Sequence, residues 1–374
     1  MPRKILFFVG GSYVSGVEII TLHLISELKK NGNQVHCIIS GWNDGVFKAK
    51  LKELGVGYDE VKLGWIYITR PQWTWDTIRH YPSAVTTCRK VMRDFNPDVC
   101  HFCYYGVIVM LYPFLKENCV FGLHDPDQPT FKNRFFYGII KRKASILTGV
   151  SRYIVGSLKN LSIPEEKIRL IYNGVPPKSN QAPAAIGSKL SFGIIGQVVP
   201  WKGHENLIEA VGLLVREGHS GFEVSIFGND KNEYSVKLRQ LIAEKGLDSY
   251  FIWKGFEVDQ EKIYKAVDVV VVPSLSQEPC SLSIIESMMS AKAVIVSDRG
   301  GNIELVEHDQ TGLIFPATNP VSLKQQMELL LLDRGQITRL AAAAYRKASS
   351  ELTVSRMTKE YELVYDEVIK TVLN

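Results

Sequence analysis

Nowhere in this 374-residue chain do apolar side chains run on for the roughly 20 positions that a bilayer-spanning helix requires, so no integral membrane anchor is expected. Cysteines are few. The six, Cys37, Cys88, Cys100, Cys103, Cys119 and Cys280, form no regular framework, which argues against a disulfide scaffold and for reduced thiols. Charge of one sign is also scarce. A net +5 permits attraction to phosphates or to an anionic membrane surface but is too small to indicate nucleic acid, and no nucleic-acid partner is expected. The opening "MPRKILFFVGG" has basic residues and then an apolar run, but that run ends at residue 9, so it reads as a buried strand and not an export signal. A cytoplasmic location follows as the expectation.

What is present is the composition of a folded chain, 45% hydrophobic and 22% charged, long enough for two domains. Short apolar runs alternate with amphipathic helical patterns, the mark of parallel βαβ construction. In the first half strands are expected at 4–9, 34–39, 98–102, 119–122 and 146–150. A helix carries Val17, Ile20, Leu24, Ile25 and Leu28 on one face and stops at "KKNGN". The texture then changes to the proline-rich "NGVPPKSNQAPAAIGSKL", a linker, and a second series places strands at 191–195, 223–227, 250–253, 267–272 and 293–296. The predicted organisation is a doubly wound domain over 1–175, a linker over 176–189, a second such domain over 190–354, and a terminal helix over 355–374 packing back on the first. The largest cleft is expected between the halves, facing the carboxyl ends of both sets of strands.

One charge is out of place. Between Pro279 and Ala291 every residue is apolar or small and polar except Glu286, although an unpaired buried carboxylate costs several kcal/mol. Around it four segments put glycine, a helix start or a lone ion at the end of a strand: "GIIGQVVPWKGHENLIEA", "VSIFGNDKNE", "FIWKGFEVDQEKIYKAVDVVVVPS" and "SQEPCSLSIIESMM". Glycines let a ligand approach the backbone, and helix N-termini beside a lysine favour phosphate. Together they describe a pocket for a nucleotide diphosphate.

The spacing "EPCSLSIIE", from Glu278 to Glu286, resembles the glutamate-x7-glutamate motif of retaining GT-B glycosyltransferases of the family 4 type. "NGV" at Asn173, "KGHENLIEA", "GNIELVEHDQTGLIF", "PDVCHF", "SGVE" at Ser15 and "LHD" at Leu123 are similar to the family's other landmarks, and the resemblance covers nearly the whole chain. It implies a GT-B fold of two Rossmann-like domains, the first on the acceptor side, the second binding the nucleotide sugar. It further implies a hexosyltransferase that keeps anomeric configuration and needs no metal or other cofactor. Glu286 would accept bonds from the donor ribose, and Leu282 and Ser283 would offer amides to the diphosphate. Glu278 would face the sugar, and Lys202 would bind phosphate. Gly16 and His124 resemble the family's diphosphate loop and its sugar contact. Gly196, Gln197, Gly228, Phe256, Cys280 and Ser281 complete the expected donor site. The implied partners are a nucleotide-sugar donor and a glycan, lipid-linked or small-molecule acceptor.

Plainer readings exist for each residue. Glu286 could pair with Arg299 in the core, Glu278 could be a loop charge, and Lys202 a solvated helix-start lysine. "CHFC" at Cys100 has half the spacing of a zinc site with no second pair, so core thiols are expected, and His101 reads as structural. Asp127 in "DPD" reads as a loop residue with an acceptor contact. The aromatic stretch with Trp65, Tyr67, Trp73, Trp75 and Tyr81 suits a core lobe, an acceptor wall or a membrane-facing loop. "FKNRFFYGIIKRKASIL" suits either a buried helix with a basic rim or an interfacial helix, which would put the protein at the inner face of the membrane. Two positions depart from the family pattern: Gln197 stands where an arginine is usual, and Cys280-Ser281 replace phenylalanine-glycine. Lys231 and Arg299 are candidate substitutes for the missing cation. An epimerase or hydrolase on the same fold, and a non-catalytic nucleotide-sugar-binding subunit, are the rival functions.

Overall fold

A computed structural model describes residues 2–64, 70–178 and 187–373. Trp65 and Tyr67 of the aromatic stretch, and positions 179–186 of the expected linker, lie outside the described residues. Contacts divide the chain into two compact units, Met1–Pro176 with Val354–Asn374, and Pro177–Thr353.

The first unit is built on a parallel sheet of seven strands: β1 (Lys4–Val9), β2 (Gln34–Ser40), β3 (Gly57–Val61), β4 (Val99–Phe102), β5 (Cys119–Leu123), β6 (Ala144–Gly149) and β7 (Ile168–Leu170). Their order is β3-β2-β1-β4-β5-β6-β7. β1 reads Ile-Leu-Phe-Phe-Val without alternation because helices cover both faces, and Ile5 to Phe8 are fully buried. Each such side chain contributes about 1.5–3 kcal/mol. The helix Val354–Leu373 packs on β4, β5 and β6 through Tyr361, Tyr365 and Val368. Arg3 clamps it with two 2.7 Å bonds to the Asp366 carboxylate, which the guanidinium holds below the usual range.

The second unit has β8 (Leu190–Ile195), β9 (Phe222–Phe227), β10 (Phe251–Gly255), β11 (Val269–Val272), β12 (Ala293–Ser297) and β13 (Leu313–Phe315), all parallel, in the order β10-β9-β8-β11-β12-β13. The four consecutive valines of β11 are buried at the centre of this sheet. Strands β3, β7 and β13 were not anticipated from sequence, and all three are sheet edges, where short segments with polar residues such as "GYDEV" give no long apolar run.

The "CHFC" cysteines are free and buried. The aromatic stretch continues into a 25-residue helix, Pro71–Phe95, with Trp75 exposed, the Arg70 guanidinium 4.3 Å from the Trp73 ring, and the Tyr81 hydroxyl donating to Met110 O. Among the described residues no helix is long and apolar enough to cross a membrane.

Candidate functional site

In each sheet the strand order reverses direction between two central strands, and in open α/β sheets ligands bind beyond the carboxyl ends at that point. In the second unit these strands are β8 and β11. Gly196 follows β8 and Pro273-Ser274 follow β11. The tight turn Pro200–Lys202 then leads through Gly203 into the helix His204–Arg216. Gly203 has to be glycine: its φ is +77°, and a Cβ would lie 1.9 Å from the Pro273 carbonyl oxygen. That close approach brings Lys202 against the loop after β11.

There Lys202 Nζ sits 2.6 Å from Glu278 Oε1, and the Ser274 hydroxyl donates to the same oxygen at 2.5 Å. The carboxylate is nearly sealed, with Glu278 only 3% exposed, while the Lys202 side chain keeps 17%. The Trp201 ring lies 4.2 Å from the ammonium. Glu278 is also held by its backbone, since Gly301 N–H donates to its carbonyl at 2.7 Å and Gly300, at φ +54°, leaves room for it. Neither Lys202 nor Glu278 is a solvated surface charge.

From this loop the chain enters the helix Leu282–Met289. Ser281 is its N-cap, but no side-chain oxygen caps the first turn, and the Ser281 hydroxyl instead meets that of Ser283 at 3.0 Å. The Leu282 and Ser283 amides therefore lie in the first turn of a helix that begins directly after the Glu278 loop, where an anion is favoured. Cys280 and Ser281 are both buried.

Glu286 follows one turn on and is not unpaired. Gln260 Nε2 donates to its Oε1 at 2.6 Å and the Tyr264 hydroxyl to its Oε2 at 3.1 Å. Lys178 lies close enough for its charge to favour the ionised carboxylate, with Nζ donating to Ser290 Oγ at 2.7 Å and 4.6 Å from the Tyr264 ring centre. Burial pushes the Glu286 carboxyl up from its ordinary range, and the bonds from Tyr264 and Gln260 oppose it. Burial likewise lowers Lys178 and, with the Glu286 charge, raises Tyr264.

Arg299 is not the partner of Glu286; it donates to the Leu275 carbonyl and lies 3.5 Å from Asp298. Gln260, Tyr264 and Lys178 were missed from sequence. The only available signal was the i, i+4 spacing of Gln260 and Tyr264, which puts both on one side of the helix Gln260–Lys265.

The other donor-side positions are strand ends. Gly196 N–H donates to Phe227 O and Gly228 N–H to Gly255 O, stitching the ends of β8, β9 and β10. Phe256 follows β10 and is 76% exposed, and Gln197 and Lys231 are exposed as well.

In the first unit the reversal falls between β1 and β4. Gly16 opens the helix Gly16–Lys30, and Glu18 in its first turn is buried. The Glu18 carboxylate accepts from the Ser15 N–H (3.0 Å), the Ser15 hydroxyl (2.6 Å) and the Tyr104 hydroxyl (2.6 Å), which braces the loop before Gly16. Burial and the neighbouring Glu18 charge raise the Tyr104 phenol. Neither Glu18 nor Tyr104 was singled out from sequence.

His124 stands just past β5, half-buried, and burial pushes it down to about 4. Asp127 accepts from the Tyr137 hydroxyl at 2.7 Å, which ties it to the helix Phe131–Lys143, and burial raises its carboxyl. The second unit thus brings Lys202, Glu278 and the Ser281–Ser283 turn to one strand end, with Glu286 a turn beyond. Gly16 and His124 belong to the first unit.

Two parallel sheets of this order, each covered by helices, make the GT-B fold. The profile described as "Glycosyltransferase Family 4" matches residues 14–179, and the one described as "Glycosyl transferases group 1" matches 178–347. The chain thus carries a Glycosyltransferase Family 4 domain followed by a Glycosyl transferases group 1 domain. An uncharacterized glycosyltransferase of Methanocaldococcus jannaschii is 28% identical over 217 residues, 54% of this chain and 54% of that protein's length. The N-acetyl-alpha-D-glucosaminyl L-malate synthase of Bacillus anthracis is 20% identical across 97% of this chain and 95% of its own. Among solved structures, Anabaena HepE in complex with UDP and glucose superposes with a TM-score of 0.81 at 19% identity, covering 98% of this chain and all of that one. That likeness concerns the fold.

Proposed function

We propose that this protein transfers a hexosyl group from a nucleotide-diphosphate sugar to a glycan, lipid-linked or small-molecule acceptor, with retention of anomeric configuration and without a metal ion. The observation that carries the reading is the row of groups formed by the turn after β8 and by the loop and helix after β11. A shielded Lys202 ammonium, the uncapped first turn at Leu282 and Ser283, and the Glu286 carboxylate follow one another as diphosphate and ribose would. When the bond from the anomeric carbon to the phosphate oxygen breaks, negative charge grows on the departing diphosphate. Lys202 and the helix amides are fixed donors for it, so they stabilise the transition state more than the ground state. The acceptor hydroxyl attacks the same face, and its proton passes to the departing phosphate oxygen. Glu278 faces the sugar in this reading, and Gly16 and His124 take the loop and sugar contacts that the resemblance implies. Anabaena HepE was solved with UDP and glucose, which makes a uridine diphosphate sugar the first donor to try.

The test is incubation with uridine diphosphate sugars and an acceptor panel, with and without EDTA, reading product configuration by NMR. Transfer with retention, unchanged within about twofold by EDTA, is expected. An inverted product, nucleotide release without any transfer, or collapse on chelation restored by manganese would overturn the mechanism.

A second strand of the proposal concerns location. The helix Phe131–Lys143 carries five basic and no acidic residues, as much positive charge as the net excess of the whole chain. Phe131 is 90% and Phe135 60% exposed on that helix. Aromatic side chains among cations suit an anionic bilayer surface, and peripheral attachment there would bring the enzyme to a lipid-linked acceptor.

A further inference from the structure

His101 carries no role in the mechanism above, yet it is buried and held by a hydrogen bond and by ring contacts. It is fully buried on β4, its ring stacked on Phe7 at 4.8 Å and lying 5.3 Å from that of Tyr361. Its Nδ1 meets the Tyr365 hydroxyl at 2.7 Å. Its Nε2 points the other way along the sheet, toward Gly122 of β5. A Cβ placed on Gly122 would lie 3.2 Å from His101 Nε2, 3.3 Å from His124 Nε2 and 3.6 Å from Thr148 Oγ1. This convergence follows from the register: His101 pairs with Val120 and Gly122 with Thr148, so His101, Gly122, His124 and Thr148 share one face, the one covered by Tyr361 and Tyr365. The missing side chain at Gly122 is what lets the two imidazoles address each other.

The proton positions follow from satisfying every buried group. Tyr365 is fully buried, and among the described residues His101 Nδ1 is the hydrogen-bond partner of its hydroxyl. The phenol must donate, so His101 Nδ1 accepts. Burial keeps both rings neutral, pushing His101 down to about 3 and His124 to about 4. A neutral imidazole with a bare Nδ1 carries its proton on Nε2. That proton is aimed at the space beside Gly122 that His124 Nε2 also borders, and one water there links the two nitrogens favourably when His124 Nε2 is bare.

Resting on the function proposed above, we propose that His101 is a positioning residue that holds His124 as its Nδ1–H tautomer. Tyr365, His101 and His124 then form a directed chain of donors from the C-terminal helix to the end of β5. His124 presents an N–H, and not a lone pair, to an oxygen of the transferred sugar. A neutral donor fixed before the substrate arrives costs no reorganisation during the reaction.

The test uses full-length protein with ¹⁵N-histidine and long-range ¹H–¹⁵N correlation, His124 being assigned from the spectrum of His124→Gln. The parent is expected to show His124 with a protonated Nδ1. The double variant His101→Phe/Tyr365→Phe removes the chain without leaving a lone buried hydroxyl. Gly122→Ala puts a methyl group between the two nitrogens and keeps both histidines. In both variants His124 should shift toward the Nε2–H form, and kcat should fall about tenfold with the donor KM within about twofold. An Nε2–H tautomer in the parent, or a tautomer unmoved in both variants, overturns the coupling. The spectra need no substrate, so they decide it even if the protein transfers no sugar. Spectra that change as expected while kcat does not would overturn the positioning role and leave the proposed activity standing.

Discussion

Replacing Lys202 by methionine should destabilise the ligand-free second unit, because the change keeps the stem of the side chain and removes the cation that Glu278 faces at 2.6 Å. Glu278 would be left at a position 3% exposed, with the Ser274 hydroxyl as its remaining side-chain donor. Breaking a buried ion pair at one partner costs about 3–5 kcal/mol, because the other charge is left uncompensated. Ser274 remains, and a hydrogen bond to a charged group is worth about 1.5–3 kcal/mol, which places the expected loss at the lower end, about 3 kcal/mol.

At about 2–4 °C per kcal/mol for a unit of 150–250 residues, the transition should drop by roughly 6–12 °C. Scanning calorimetry of the ligand-free protein reads this directly. The double variant Lys202→Met/Glu278→Gln should recover most of the loss, since an amide oxygen still accepts from Ser274 and no charge is stranded. A single variant within about 2 °C of the parent, or a double variant no more stable than the single, would refute the reasoning.

Glu286→Gln should leave the fold intact and weaken nucleoside diphosphate binding by about 1.5–3 kcal/mol, the worth of a charge-assisted bond, measured by calorimetric titration; equal affinity would sink the ribose assignment. Gln197→Arg should raise turnover without moving the thermal transition, because Arg299 is engaged by Leu275 and Asp298 and Lys231 points out into solvent; a fall in turnover would mean another cation already serves the site. Anionic vesicles at low salt should float the protein, and Phe131→Ser/Phe135→Ser or about 0.5 M salt should release it; a parent that never floats removes the membrane reading. Acid should destabilise the fold through His101 and His204, both buried and pushed down from 6.5 to about 3 and about 4. The unfolded chain binds their protons first, so this stability is complete above pH 6.5 and lost as pH falls toward the folded values, by about 2 kcal/mol per histidine at pH 5. A transition temperature unchanged between pH 7 and 5 would contradict it.

Much of the architecture was legible because parallel strands covered on both faces leave long apolar runs, as in Val269–Val272 and Lys4–Val9. The edges were not, because β3 and β7 are short and partly polar and β13 is only three residues long. At the site, Lys202 and Glu278 stood out as lone ions at strand ends, and the structure brings them together across 76 positions. The groups that hold Glu286 were illegible for a different reason. Tyr264 and Gln260 are ordinary residues of a short helix, and Lys178 is a proline-flanked lysine; only the tertiary fold makes them neighbours. The same holds for Tyr104, which reaches Glu18 across 86 positions.

The first unit is interrupted: the chain leaves it after Pro176 and re-enters at Val354, whose N–H donates to Val175 O at 2.9 Å. On a ribosome the second unit is therefore made complete while the first still lacks the helix Val354–Leu373. The uncovered face of β4, β5 and β6 has to wait, with His101 missing Tyr365, until the helix Val354–Leu373 has been synthesised. The contiguous unit can mature early, whereas the discontinuous one closes only after that helix emerges. A nascent chain arrested before Val354 would carry a finished Lys202–Glu278 pair and an unfinished surround for His124, so acquisition of the donor-side ion pair and of the His124 environment are separate events in the protein's own assembly.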